Sequence, residues 1–304
     1  MAKSSTNIGN NATAENYLET PPHISEWRRF VRVFFTRGMV TFGLVILLLM
    51  VFAAVFAGWI APYDPYKTDP WSSLEQPSKV HLLGTDNAGR DTLSRLLYGA
   101  RTALIIGFVT IFTSAIIGVL LGLIAGYYGG IIGMLIMRTM DSLMCFPMIM
   151  LAILVSAILG GGMKNVIIAL TVASVPVYAR VVNGMTLSLK ENDYILAEQG
   201  MGSSNLRIIF GHVLPNTFHQ IIVLITLGLG NIILAEAGLS FLGIGISAPE
   251  AAWGSMVNDG YQYLLSNPVL SFAPGLAIML VVFAFNMVGD GLRDALDPRL
   301  RGFL

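Results

Sequence analysis

The chain offers few residues whose type and spacing fit a known chemistry. Gly160, Gly161, Gly162 and Lys164 resemble a phosphate-binding loop, but the spacing is wrong and Asn165 stands where serine or threonine is required. We therefore interpret this stretch as a turn between two apolar segments. The chain is expected to bind no ATP, no magnesium and no other cofactor.

Neither metal binding nor covalent catalysis is indicated by the remaining polar residues. The two closest histidines, His212 and His219, have no cysteine or acidic cluster beside them. The single cysteine, Cys145, lies in an apolar stretch and has no partner for a disulfide within the chain. No serine, histidine and aspartate grouping suggests a catalytic triad. We predict a non-catalytic chain without a metal site.

The segment 188–216 carries the most ordered pattern of charge, glycine and apolar residues. Its first part, 193–199, favours a short helix that Gly200 and Gly202 end. A second short helix is predicted over 205–212, capped by Ser204. We interpret the two short helices as a compact structure on which a partner docks. The alternative is a connector that lies on the membrane surface. The residues expected to make its working contacts are Ala197, Glu198, Gly200, Gly202, Ser204, Arg207, Phe210, Leu214 and Pro215.

A second group of charged residues precedes a long apolar run. Between Gly84 and Arg101 the charges alternate with leucines, a pattern typical of an amphipathic segment lying at the outer membrane interface. A solvated loop is the alternative interpretation. The charged residues expected at this outer surface are Asp86, Arg90, Asp91, Arg95 and Arg101.

The composition identifies the kind of protein that must position these segments. Of 304 residues, 55% are hydrophobic and 12% are charged, against about 25% charged in an average soluble domain. The mean hydropathy is +0.70. These values exclude a soluble globular enzyme and a disordered chain. The net charge of zero gives no electrostatic support for binding nucleic acid.

Six apolar stretches are long enough to cross a membrane, because a hydrocarbon core about 30 Å thick needs roughly 20 residues of helix. The stretches are continuous rather than alternating, which predicts helices and an all-α membrane protein. The second, fifth and sixth are interpreted as free of ionisable residues in their interiors. That scarcity argues against an ion-coupled carrier, which keeps such groups near the midplane. The six stretches are 40–60, 102–125, 131–159, 166–187, 217–237 and 269–288.

Three glycines in the second stretch predict a close helix contact. Gly118, Gly122 and Gly126 are spaced by four residues, so they lie on one face of a helix. Small residues at this spacing let the backbones of two membrane helices approach each other. We therefore expect a tightly packed neighbour along this ridge.

The basic residues predict the orientation, because lysine and arginine concentrate in cytoplasmic segments. No basic residue lies between Arg207 and Arg293, which places the loop 238–268 outside. Both termini and the loop 188–216 are then cytoplasmic, and 61–101 is outside. The predicted organisation is a cytoplasmic tail (1–37), a first span with an external segment (38–101) and a five-helix core (102–304). The basic residues flanking the spans are Arg28, Arg29, Arg32, Arg37, Arg293, Arg299 and Arg301.

The cytoplasmic loop resembles the loop shared by the inner-membrane permease subunits of ATP-binding-cassette importers. Their pattern is Glu-Ala-Ala, three residues, Gly, nine residues, Ile, one residue, Leu-Pro. Aligned on the Leu-Pro at 214–215, the glycine falls on Gly202. Leu196 stands where the pattern has its glutamate, Glu198 lies two places later, and His212 occupies the isoleucine position.

Three further stretches narrow the resemblance to the C-type subunit of the dipeptide, oligopeptide and nickel permease family. Together with the loop they lie in the expected order, and the resemblance covers about residues 27–300. The stretches are Leu-Gly-Thr-Asp-Asn-Ala-Gly-Arg-Asp at 83–91, Ala-Glu-Ala-Gly-Leu-Ser-Phe-Leu-Gly at 235–243 and Gly-Asp-Gly-Leu-Arg-Asp-Ala-Leu-Asp-Pro-Arg at 289–299.

The resemblance implies a type I importer fold, the MetI-like permease fold, in a bacterial inner membrane. It implies that the chain forms half of a pathway for dipeptides or oligopeptides beside a homologous B-type permease, within membrane lipid. Two cytoplasmic ATPases that hold ATP and magnesium would pull on the loop, and an extracytoplasmic binding protein would deliver the substrate. The alternatives are an ion-coupled secondary carrier, a membrane scaffold without transport, or an importer of nickel complexes or oligosaccharides.

Overall fold

Helices form most of residues 26–296, the part of the chain that the computed structural model describes. The predictions for residues 1–25 and for Arg299 and Arg301 lie outside the described residues. A 3-10 turn at Pro70–Ser72 and a π-helical turn at Ile209–Val213 add to the α-helices. The α-helices are α1 (Glu26–Thr36), α2 (Gly38–Val55), α3 (Ala57–Ile60), α4 (Thr92–Tyr128), α5 (Gly130–Met144), α6 (Met148–Leu159), α7 (Met163–Lys190), α8 (Asp193–Gly200), α9 (Asn205–Ile208), α10 (Leu214–Phe241), α11 (Trp253–Tyr261) and α12 (Val269–Leu296).

Five helical runs of the described residues are long and apolar enough to cross a membrane. They are α2, α4, α7, the run Asn205–Phe241 formed by α9, the π turn and α10, and α12. A sixth crossing is formed when α5 and α6, which meet at a bend of 91°, count as one span. The prediction of an all-helical protein with six spans is confirmed.

The third predicted span, 131–159, is not a single helix. It ends at Met144 and restarts at Met148, with Pro147 between the two arms. Proline has no N–H to donate and its ring disfavours a helical conformation in the residue before it. The chain therefore turns at 145–147, and a length criterion alone could not detect the turn.

The second span begins ten residues before its predicted start at Thr102. Asp91 is the N-cap residue of α4, and its Oδ2 accepts hydrogen bonds from the Ser94 amide at 2.8 Å and the Ser94 hydroxyl at 2.7 Å. The predicted boundary between residues 101 and 102 thus falls inside a continuous helix. The end of the charged segment, from Thr92 on, and the apolar span form one helix.

The glycine ridge of α4 packs directly on α7, as predicted. A Cβ added at Gly118 would lie 2.5 Å from the Tyr178 Cβ. One added at Gly122 would lie 2.6 Å from the Ala179 carbonyl oxygen, and one at Gly126 would lie 2.6 Å from the Thr186 Cβ. The backbones of the two helices approach too closely for any side chain. This contact fixes the ends of α4 and α7, and therefore both segments singled out for function.

Candidate functional site

The loop 188–216 folds around a sharp turn at Gly202. The residue has φ +81°, which favours glycine, while no atom lies within 4 Å of an added Cβ. The Gly202 amide donates to the Gln199 carbonyl at 3.0 Å, and the Ser203 amide donates to the Glu198 carbonyl at 3.1 Å. This pattern of bonds ends α8. Gly202 is therefore required by the backbone conformation rather than by lack of space.

The second half of the loop differs from its prediction as a separate short helix. The α9 helix, the π turn and α10 form one helical run of 37 residues, Asn205–Phe241. The π turn carries the helix into Pro215, which lies in the first turn of α10 and has no N–H for the ladder. Ser204 occupies the N-cap position, but its side chain makes no capping hydrogen bond. The loop is thus joined rigidly to the span that follows it.

Apolar side chains anchor the loop on the ends of the spans. Ile195, Ile208 and Val213 are each 0% exposed, within a cluster that includes residues of α4 and α7. Polar contacts add to this packing. The Tyr127 hydroxyl donates to the Asn205 Oδ1 at 3.0 Å, and the Lys190 Nζ donates to the Tyr127 carbonyl at 2.7 Å. The loop is therefore held by α4 and α7 as well as by α10.

The opposite face of the loop presents apolar side chains without a partner in this chain. Leu196, Met201, Leu206 and Phe210 are between 50% and 74% exposed. An exposed apolar row on an anchored segment is typical of a protein-binding surface. Of these four, only Phe210 is among the residues predicted from the sequence. The others were missed because apolar residues at helical spacing indicate burial as readily as docking.

The structure places the other predicted loop residues around this apolar row. Six of them are exposed, while Glu198 and Leu214 are half-buried. The Glu198 carboxylate accepts a hydrogen bond from the Ser203 hydroxyl, and its Oε1 lies 3.6 Å from the His212 Nε2. The exposed six are Ala197, Gly200, Gly202, Ser204, Arg207 and Pro215.

The charged segment 84–101 is largely buried within the protein, which corrects both sequence interpretations, the interfacial helix and the solvated loop. Asp86, Arg90, Asp91 and Arg95 are between 1% and 9% exposed, and only Arg101 of the predicted five is exposed. Charged side chains are buried in proteins when each is paired and hydrogen-bonded. Alternation of charge and leucine carries no information about such pairing, so the sequence could not reveal it.

The pairing centres on Asp86. Its Oδ2 accepts from the Arg90 Nε at 2.7 Å and lies 3.5 Å from the Arg95 Nε. The Arg95 guanidinium also donates to the carbonyls of Pro65 and Pro249 at 3.1 and 3.2 Å. One arginine of α4 thereby joins the loop 61–91 to the loop 242–252.

Two further titratable residues join this cluster and were not singled out from the sequence. The His81 Nδ1 lies 2.9 Å from the Asp91 Oδ1, and the Arg90 Nη2 lies 3.9 Å from the Asp259 Oδ2. Burial raises the pKa of Asp259, and the nearby Arg90 and Arg95 oppose that shift. His81 lies only ten residues before Asp91, whereas Asp259 belongs to α11 and is brought to this place by the fold.

A buried carboxyl in α10 corrects the statement that the fifth span lacks ionisable groups. Glu236 is 2% exposed, and its Oε1 accepts a hydrogen bond from the Ser240 hydroxyl at 2.7 Å. The Ser240 oxygen in turn accepts from the Ile246 amide at 2.9 Å. Glu236 is the only acidic residue between 217 and 241, and this isolation was the signal available in the sequence.

Comparison with family models matches most of the chain. Residues 118–302 match the model described as binding-protein-dependent transport system inner membrane component. Residues 25–77 match the model described as the N-terminal TM domain of oligopeptide transport permease C.

Curated relatives are similar over almost the whole chain. The dipeptide transport system permease protein DppC of Alkalihalophilus pseudofirmus is 44% identical over 278 residues, covering 91% of each chain. The glutathione transport system permease protein GsiD of Escherichia coli is 44% identical over 286 residues, covering 94% of this chain and 93% of the relative.

Among solved structures, an inward-facing form of the MetNI methionine ABC transporter matches in fold. The TM-score is 0.55 at 21% identity, and the match covers 67% of this chain and 97% of that chain. At this identity the likeness concerns the fold, and it agrees with the MetI-like arrangement implied by the loop. Among the described residues, no group of three or more histidine, cysteine or acidic side chains is placed to hold a metal.

Proposed function

The chain belongs to the binding-protein-dependent transport system inner membrane component family, and from this premise we propose that partner ATPases drive it through the loop 188–216. It is a multi-pass inner-membrane permease subunit of an ABC importer of the dipeptide and glutathione transport family. The proposal concerns its partners, its substrate and the residues that carry the coupling. The single observation that supports the coupling best is the anchored loop with its exposed apolar row.

The loop is suited to receive force from a docked protein. Leu196, Met201, Leu206 and Phe210 offer apolar area to a partner, while the opposite face is fixed to three spans. A partner that moves would displace the loop together with α10, because Asn205–Phe241 is one helical run. At 1.5 Å per residue this run is about 55 Å long. A push at its inner end thus reaches the outer side of the membrane.

Two ATPase subunits are the partners that fit this surface in an importer of this family. ATP and magnesium would be held by them, and this chain would perform no covalent step. Closure of the ATPases would rock this chain against a second, B-type permease between inward- and outward-open states, as in alternating access. A binding protein would deliver the substrate to the outer segment, which the Asp86 cluster holds in a fixed shape.

The substrate class proposed is short peptides. The relatives are named for dipeptide and glutathione transport, and both of these substrates are small peptides. Nickel complexes and oligosaccharides are the alternatives within the same family. Uptake competition with each class separates them.

The test is reconstitution of this chain with its partner subunits and binding protein in lipid vesicles. Uptake of a labelled dipeptide should require ATP and all subunits, and the purified chain alone should hydrolyse no ATP. Uptake by the chain alone that follows a proton gradient would identify a secondary carrier instead. ATPase binding without any flux would identify a scaffold.

The orientation is tested by labelling with a membrane-impermeant thiol reagent. The exposed Cys145 is first replaced by serine, and single cysteines are placed at Ser204 and at the fully exposed Leu265. Label should reach position 265 from outside and position 204 only from the cytoplasmic side. The reverse pattern would overturn the proposed topology.

A further inference from the structure

The short helix α8 lies against the start of the α10 run, and two side-chain contacts join them. Glu198 of α8 faces His212, with 3.6 Å between Oε1 and Nε2. Four residues earlier on α8, the Tyr194 hydroxyl accepts from the Asn216 Nδ2 at 3.4 Å. Because 194 contacts 216 and 198 contacts 212, the two helical segments run antiparallel. The contacts stand one helical turn apart on each segment.

These contacts are backed by others within the same small group. The Ser203 hydroxyl donates to the Glu198 carboxylate and so orients it after the Gly202 turn. The Asn216 Nδ2 also donates to the His212 carbonyl at 2.6 Å, across the π turn. The rings of Tyr194 and His212 lie 6.5 Å apart. The group therefore connects the segment before the Gly202 turn with the segment after it.

We propose that Glu198 and His212 form a clamp that makes α8 and the α10 run move as one body, so that force on α8 reaches the membrane without slippage. The inference rests on the proposed coupling function and assigns positioning residues to it. The backbone between α8 and the α10 run passes through the turn at Gly202, where φ is +81° and no atom lies within 4 Å of an added Cβ. Ile195 packs α8 onto the spans, and the clamp adds a polar contact directly between α8 and the α10 run.

The clamp can be tested by replacing Glu198 and His212 with the apolar residues that the shared loop pattern has at these positions. The loop pattern shared by importer permeases has alanine at 198 and isoleucine at 212. Glu198→Ala and His212→Ile each remove one side of the contact, whereas the double variant removes both sides together. Residues that act through one contact give non-additive effects in such a cycle.

The measured quantity is peptide taken up per ATP hydrolysed by the complete importer in vesicles. Each single variant should lower this ratio by about two- to fivefold, the range for a half-exposed ion pair. The double variant should be no worse than either single variant. The exchanged pair, Glu198→His with His212→Glu, should recover most of the ratio, which a purely apolar packing role would not allow. His219→Ile, on the same helix and outside the loop, serves as the matched control and should keep the wild-type ratio.

The clamp would be overturned if the fold-losses of the two single variants multiplied in the double variant. It would also be overturned if the exchanged pair had as low a ratio of uptake to ATP hydrolysed as the single variants. If the single variants fail to assemble, the same cycle is measured on assembly: recovery in the double variant supports the clamp, and no recovery refutes it. Failure of the proposed function looks different, because the wild-type complex would then transport without its ATPases or not bind them.

Discussion

Replacing Gly122 by alanine tests the packing of α4 on α7, with a control at an open position of α7. The added Cβ would lie 2.6 Å from the Ala179 carbonyl oxygen and 2.9 Å from the Val182 Cβ. Ordinary contacts between carbon and oxygen are about 3.3 Å or longer, so the helices must separate by about 0.7 Å. Overpacking of this kind costs about 1–3 kcal/mol.

Gly184→Ala on α7 provides the matched control, because no atom lies within 4 Å of its added Cβ. Both substitutions gain the helix propensity of alanine, about 1 kcal/mol. The difference between the two variants therefore isolates the steric cost. We expect Gly122→Ala to be about 1–3 kcal/mol less stable than Gly184→Ala.

The assay is thermal denaturation of the purified importer in detergent, followed by loss of subunit association and by tryptophan fluorescence. Uptake in vesicles is recorded for the same variants. Equal stability of the two alanine variants would show that the ridge is loosely packed and would refute the argument from close approach.

The remaining predictions concern the Asp86 cluster, the loop turn and the buried carboxyl. Arg95→Met should destabilise the chain by about 3–5 kcal/mol, since it breaks a buried pair and leaves three carbonyls without their donor, whereas Arg101→Met at an exposed position should leave the melting temperature unchanged. Gly202→Val should lower uptake per ATP because its φ of +81° costs such a side chain about 1–2 kcal/mol; Gly202→Asn should retain more activity, and equal loss in both would contradict a backbone role. Glu236→Gln should assemble normally because the amide oxygen still accepts from the Ser240 hydroxyl, while Glu236→Lys should not assemble. Size-exclusion chromatography in detergent measures the assembly of both variants.

The spans were predictable from the sequence because hydrophobic length is a local property. The glycine ridge was predictable for the same reason, since the four-residue spacing of Gly118, Gly122 and Gly126 is enough to place them on one face of a helix. Pro147 is seen in the sequence, but the bend of 91° beside it could not be predicted, because proline is tolerated in many membrane helices.

The outer charges were not predictable from local pattern. Arg95 is buried because carbonyls from residues 65 and 249 meet its guanidinium, and these come from opposite parts of the chain. The contact between Glu198 and His212 is similar, since it depends on α8 folding back along the next helix. The burial of each charged side chain thus depends on its partners in the folded chain and not on its neighbours in sequence.

The bend between α5 and α6 has a consequence for hydration. With 15 and 12 residues, the two arms are about 22 and 18 Å long, so neither crosses a 30 Å hydrocarbon core alone. When the pair serves as one crossing, its elbow at 145–147 lies below the headgroups, and its side chains are exposed on this chain. Non-helical backbone is tolerated at that depth only against protein or beside water. The elbow at 145–147 is then expected to lie against a neighbouring subunit or a water-filled passage rather than against lipid.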